Sequence, residues 1–447
     1  MPSTSRQAPM RQWLFVSFLL IFASGFAHNA ALCAQTASPS NSSPPTVPGA
    51  AQGFRLSPEK RAEALAYRHR TYWLYAATTA FTAVLLVLFL RLRIAPRLRN
   101  WAERVSPRRF IQLLLFAPPL ILLFVVLLSP TDVYTQWLSL KYGLSVQGWG
   151  SWLWDWTQTQ IIAALFGTLV VGILYAVLRR SPCRWWLYLW LATIPITFFA
   201  IFLSPLVIDP LFNDFEPLEK TQPALVATID KLLAHAGLPI PHDHIFLMKA
   251  SAKTNVLNAY VTGFGASKRL VLYDTIVAAE RGPVILHTLG HEMGHYMLHH
   301  ERLGFVVFIP VFLGLFYATY RAVLWLVARW GSALDIRSPD DWAALPLLFL
   351  IVFVLIFLLT PVFNGFSRWQ EHEADRYGLE VIHGITLNPG EVASQAFQLE
   401  GETNLADPDP PEFVRLWFFD HPSTNDRIVF CRTYNPWSPG QKPKYVP

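Results

Sequence analysis

Apolar runs of near-constant length, set apart by short polar connections, organise most of this chain. Tyr72–Leu90, Phe110–Leu128, Ile161–Leu178, Trp185–Val207, Gly304–Ala328 and Ala343–Phe363 are each about long enough to cross a ~30 Å hydrocarbon core as a helix. Six spans are therefore expected, with a kink in the second at Pro118 and Pro119. Arg321 lies inside the fifth run and must snorkel, pair or face water. An earlier run, Trp13–Ala27, comes after Arg6 and Arg11 and suits either a signal-peptide core or a first transmembrane helix. Leu56–Arg70 is charged and helix-prone, and reads as a lead-in lying at the membrane surface.

Between Ile208 and Gly282 the pattern changes from long apolar runs to short alternation. Leu218–His235 has helical spacing, whereas His244–Met248, Ala259–Phe264 and Arg269–Val277 read as short strands, the last two joined by a Gly-Ala-Ser-Lys turn. The expected division is a signal peptide or first helix at 1–34, a Ser/Pro-rich linker at 35–55 and a four-span membrane domain at 56–207. A catalytic-type α+β module at 208–303, a transmembrane hairpin at 304–363 and the rest of the module at 364–447 complete it. The fold class is thus a mainly α multi-pass membrane protein, with six or seven transmembrane helices and a small α+β module.

Composition agrees, with 53% hydrophobic residues, 15% charged, 17 Trp and 32 Phe in 447 residues. The net charge of +6 is carried mainly by Arg in short connections, so it reports topology rather than affinity for nucleic acid. Residues 91–109 hold seven Arg against one Glu, and 179–184 hold three Arg. Residues 129–160 are nearly neutral, which places the arginine-rich connections in the cytoplasm and, by alternation, 208–303 and the chain after Phe363 outside. The 329–342 connection weakens that assignment, since it sets two Arg against three Asp. Cys33, Cys183 and Cys431 are too scattered for a metal knuckle or disulfide framework.

Chemistry concentrates in His291-Glu292-Met293-Gly294-His295. On a helix, residues four apart share a face, so both imidazoles point to one place. Glu292 lies about 100° further round. Two His that hold Zn²⁺ and a Glu that takes a proton from the attacking water form the zincin pattern. His287, His299 and His300 read as neighbours or surface residues. A catalytic zinc site needs a third protein ligand. Ser367–Gly378 offers Glu371 and Asp375 on one face, with Glu371 on the metal and Asp375 orienting an imidazole; Glu373 competes with Glu371. Two spans separate His295 from this segment, which returns the chain to the same side. His421 could stabilise an oxyanion, Arg427 could pair with a carboxylate or hold substrate, and Asn258-Ala259-Tyr260 could offer a sheet edge to an extended peptide.

The ordered motifs resemble the type I CAAX prenyl proteases, multi-pass zinc endopeptidases, over roughly Pro58 to Phe430. They are Pro210-Leu-Phe-Asn-Asp-Phe-Glu-Pro-Leu218, Asn258-Ala-Tyr260, Lys268-Arg-Leu-Val-Leu-Tyr-Asp-Thr275, His291–His295, Ser367-Arg368 with Glu371 and Asp375, Asn404-Leu405, and His421-Pro422 with Arg427. The resemblance implies one Zn²⁺ held by His291, His295 and Glu371, Glu292 as general base and Asp375 behind a ligand. It also implies that His421 and Arg427 stabilise the intermediate and hold substrate. Expected partners are a peptide or protein substrate, lipidated or not, and membrane lipid, without nucleic acid. The implied architecture is a helical barrel around a chamber, with the zinc site at one end; the expected location, held apart from that resemblance, is a bacterial-type cell membrane. Two departures stand out. The family's catalytic side is cytoplasmic, whereas the connection charges here point outward, and a Ser/Pro linker comes after the N-terminal run. Rival readings are a site-2-type intramembrane protease, a heat-shock-type membrane quality-control protease, and a non-catalytic metal-binding transporter or scaffold.

Overall fold

The structure is a computed structural model that describes residues 53–446 apart from 204–206, 239, 263–268 and 280–281. The N-terminal run, the linker through residue 52 and the Gly-Ala-Ser-Lys turn lie outside the described residues.

The membrane part is built from long helices: α1 (Pro58–Arg91), α3 (Arg109–Lys141), α4 (Trp149–Arg180), α8 (His300–Leu334) and α9 (Leu345–Ile382). Among the described residues these five are long and apolar enough to cross a membrane. A sixth apolar helix, α5 (Trp185–Leu203), occupies the fourth expected run. Pro118 and Pro119 sit within an unbroken α3. Arg321 is on the outer face of α8, where its guanidinium donates to the Tyr317 hydroxyl at 3.1 Å.

Leu56–Arg70 departs from expectation. It does not lie along the membrane surface but forms the first turns of α1, capped by the Ser57 hydroxyl, which accepts from the Lys60 amide. Tertiary partners draw it in. Arg68 is buried and donates to the Leu405 and Asn404 carbonyls at 2.7 and 2.9 Å, and Tyr72 donates to Asp407 at 2.8 Å.

The two ends of the helical bundle differ. At one, α2 (Ile94–Val105) packs beside the 335–342 connection. There Arg99 is buried against Asp341 and reaches Asp335 at 3.2 Å, while Arg337 pairs with Glu103 at 2.9 Å. At the other, the connection between α3 and α4 docks on the polar module. Ser145 bridges Thr254, the Asn255 amide donates to the Leu144 carbonyl, and Lys253 pairs with buried Asp155 of α4.

The module holds a four-stranded sheet of β1 (Phe215–Pro217), β2 (Ile245–Met248), β3 (Ala259–Thr262) and β4 (Arg269–Tyr273), ordered β1-β2-β4-β3. β2 and β4 are parallel, the outer pairings antiparallel, with Tyr260 opposite Val271. All five β4 positions are buried, and the sheet's core is shared with α6 (Pro223–His235) and α7 (Val284–Met297). Two expected boundaries shift. The strand begun at Arg269 ends at Tyr273, because Asp274 starts a short helix and accepts from the Ser251 amide at 2.8 Å. The helix expected over Leu218–His235 is broken at Gln222, ahead of Pro223, into two pieces.

Candidate metal centre

The site forms where α7 crosses α9, and three glycines let the helices meet. A Cβ on Gly294 would lie 3.1 Å from the Ala374 backbone, one on Gly290 would lie 2.7 Å from a Val381 methyl, and one on Gly378 would lie 2.9 Å from the His291 nitrogen. With no Cβ at these positions the backbones approach to direct contact. The upper face of α7 then meets the polar half of α9.

Three donor groups converge at that crossing. His291 Nε2 is 3.1 Å from His295 Nε2 and 3.1 Å from Glu371 Oε2, and His295 Nε2 is 3.5 Å from Glu371 Oε1. A tetrahedral ion with bonds of ~2.0–2.1 Å has ligand–ligand edges of about 3.3–3.4 Å. The three separations bracket that edge, so this donor set fits a small divalent cation. Glu371 is 1% exposed, and a carboxylate so deeply buried needs positive charge beside it.

A ring of supporting contacts fixes the donors. Asp375 Oδ1 is 2.7 Å from His291 Nδ1, which places the imidazole proton on Nδ1 and leaves Nε2 free to ligate. Arg427 of α11 (Thr424–Thr433) clamps Asp375 with two bonds of 2.9 and 2.5 Å, and its guanidinium lies over the Phe397 ring at 3.9 Å. The other imidazole has a matching support. His300 Nδ1 is 3.0 Å from His295 Nδ1, so a His295 that ligates through Nε2 donates to His300.

Glu292 and His421 both lie beside the donor set, close enough for His291, Glu371 and His421 to act on the Glu292 charge. Burial pushes the Glu292 carboxyl up to about 7; the His291 charge pulls it down and Glu371 pushes it up. His421 Nδ1 is held by Asp420 at 2.7 Å, and its Nε2 is 3.2 Å from Glu371 Oε2. Burial alone would lower the His421 imidazole, yet Glu371 and Asp420 carry it above its ordinary value. The loop that presents it is braced by Arg368, which donates to the Arg415 and Phe419 carbonyls.

The structure therefore brings together His291, His295, Glu371, Glu292, Asp375, His421 and Arg427. Glu373 points elsewhere, pairing with Arg376 at 2.6 Å and Lys444 at 2.7 Å. Ala259 and Tyr260 lie on β3 at the sheet edge beside α7, and the Asn258 carbonyl accepts from the Tyr273 amide at 3.0 Å. His287 is buried, and burial pushes its imidazole down to about 3, so it stays neutral. Sequence reasoning missed His300, Phe397 and the glycine crossing. A left-handed His299 (φ 52°) ends α7 and turns His300 back onto His295. The adjacent histidines at the helix end were the available signal. Glu400 of α10 (Pro389–Thr403) is a further missed carboxylate; burial pushes it up, opposed by the charge of Arg427.

Residues 40–214 match the family described as CAAX prenyl protease N-terminal, five membrane helices, and residues 219–434 match Peptidase family M48. A Bacillus subtilis relative described as an uncharacterized metalloprotease, YhfN, is 36% identical over 83% of this chain and 85% of its own. CAAX prenyl protease 1 of Saccharomyces cerevisiae is 26% identical over 67% of each chain. The crystal structure of S. mikatae Ste24p superposes with a TM-score of 0.71 at 20% identity, covering 93% of this chain and 98% of that one.

Proposed function

The chain belongs to peptidase family M48 and is a multi-pass membrane metalloprotease acting on peptide or protein substrates, and from that premise we propose that its metal is zinc, held by His291, His295 and Glu371. Two imidazoles and one carboxylate with a position left for water are a donor set suited to catalytic zinc. When bound, zinc polarises the scissile carbonyl and makes the attacking water more acidic.

The remaining work falls to side chains. Glu292 takes the proton from the attacking water and delivers it to the leaving amine, and a carboxyl raised toward neutrality is matched to both transfers. His421, whose protonation Glu371 and Asp420 favour against burial, donates through Nε2 to the oxygen on which negative charge develops. Asp375 holds the His291 Nδ1 proton, and Arg427 holds Asp375 and so acts through it. Substrate lies along β3 as an added strand beside Asn258, Ala259 and Tyr260; Asn258 is committed to Tyr273 of β4, so the outward backbone of Ala259 supplies hydrogen bonds that tolerate many sequences.

The observation that carries this reading is the convergence of three groups: the two imidazole Nε2 atoms 3.1 Å apart, with one Glu371 oxygen 3.1 Å from His291 and the other 3.5 Å from His295. The test is cleavage of a fluorogenic peptide by the detergent-purified protein, with and without a chelator, on prenylated and unprenylated peptides. Glu292→Gln should keep its zinc and lose about 10²–10⁴-fold in turnover. Wild-type cleavage by that variant, or by the metal-stripped protein, would contradict the assignment.

A further inference from the structure

The charge distribution over the two ends of the bundle leads to an inference that rests on the protease reading and extends it to a substrate class. We infer that the catalytic end faces away from the cytoplasm, so that the substrates are polypeptide segments exposed on the outer side of the membrane.

Three short connections gather at the end opposite the metal centre. Residues 91–109, 179–184 and 329–342 are joined there by Arg99 with Asp335 and Asp341, Arg337 with Glu103, and Arg179 with the Asp340 carbonyl. Together they hold twelve Arg against four carboxylates. The catalytic end is the reverse. Segments 208–303 and 364–447 hold fifteen Lys and Arg against twenty-two Asp and Glu, and the connection docked on them, 129–160, has one Lys and two Asp.

Orientation in a bilayer is set by Lys and Arg in short connections near span ends, which stay in the cytoplasm, while acidic residues count little and larger domains translocate largely regardless of charge. The three Asp in 329–342, which read in the sequence as opposing the assignment, are spoken for in the structure. Asp335 and Asp341 pair with Arg99 and Asp340 lies near Arg179 at 4.0 Å, so they belong to the arginine cluster rather than offsetting it.

The start of the chain agrees independently. Arg6 and Arg11 precede the apolar run Trp13–Ala27, an order that keeps those arginines in the cytoplasm and sends the chain after Ala27 outward. The first described residues beyond that run are on the catalytic side. The Phe54 amide donates to Asn425 at 3.0 Å, and Arg68 near the start of α1 binds the Leu405 and Asn404 carbonyls. The arginine-rich connections and the N-terminal arginines therefore both place the metal centre outside.

Two thiols at opposite ends report the orientation. Cys183 is exposed among the arginines, whereas Leu387 is 100% exposed on the catalytic module, so a cysteine there gives up no packing. In a Cys33→Ser background, right-side-out vesicles are treated with a membrane-impermeant maleimide before and after detergent. Leu387→Cys should label at once, and Cys183 only after detergent. Labelling of Cys183 in sealed vesicles, alone or together with Leu387→Cys, would overturn the inference. If Leu387→Cys fails to accumulate, Cys183 in the otherwise native chain gives the same answer by itself. Peptide cleavage measured in detergent on the same samples separates the two claims, since a wrongly assigned side leaves that activity intact.

Discussion

Gly378→Ala tests whether the glycine crossing sets the metal centre. The added Cβ would lie 2.9 Å from the His291 backbone nitrogen and 3.2 Å from His291 Cα and His287 Cε1. Comfortable heavy-atom contacts are about 3.5–4.0 Å, and two of these neighbours are backbone, so α7 and α9 must separate by roughly 0.5 Å. Overpacking of this kind costs about 1–3 kcal/mol. The separation also exceeds the ~0.2 Å tolerance of a metal–ligand distance. Binding must therefore squeeze the helices back together, and the strain is withdrawn from affinity, a loss of roughly 5- to 150-fold. The assay is zinc competition against a fluorescent chelator, paired with thermal unfolding with and without zinc. Gly314→Ala is the control, since nothing lies within 4 Å of its Cβ position. Gly378→Ala with wild-type zinc affinity and wild-type cleavage would refute the reasoning.

Two further outcomes are expected from the supporting contacts. Asp375→Asn keeps the side-chain shape but removes the charge shared by His291 and Arg427, and should lower zinc affinity about 10–100-fold, read by the same competition; an unchanged affinity would mean Asp375 does not support the ligand. In the metal-free protein burial lowers the His291 imidazole, but Asp375 and Glu371 outweigh it and raise it to about 10. Zinc must then displace that proton below this pH, so apparent affinity should rise about tenfold per pH unit from neutrality toward pH 10, with proton release seen by calorimetry in buffers of different ionisation heat. Binding without proton release would contradict it.

The membrane part was legible because a long apolar run has one way to satisfy its backbone in lipid, which is to be a helix. His291, Glu292 and His295 were legible because helical periodicity alone puts both imidazoles on one face. The third ligand was harder. Glu371 and Glu373 differ by about 200° around α9, and only the rotation of α9 against α7 decides between them. That rotation is set by Gly290, Gly294 and Gly378, whose meaning depends on which backbone lies opposite. The burial of Arg68 was invisible for the same reason: its acceptors, the Asn404 and Leu405 carbonyls, are more than 300 residues away. Local pattern names the elements; distant partners choose their faces.

The central claim is that one zinc ion sits between His291, His295 and Glu371. Zinc-edge X-ray absorption on the detergent-purified protein tests it directly. The expected result is one zinc per chain with nitrogen and oxygen neighbours at ~2.0–2.2 Å and the outer-shell scattering of two imidazoles, reduced in His295→Ala. Sulfur neighbours at ~2.3 Å, or an identical spectrum from His295→Ala, would contradict the account.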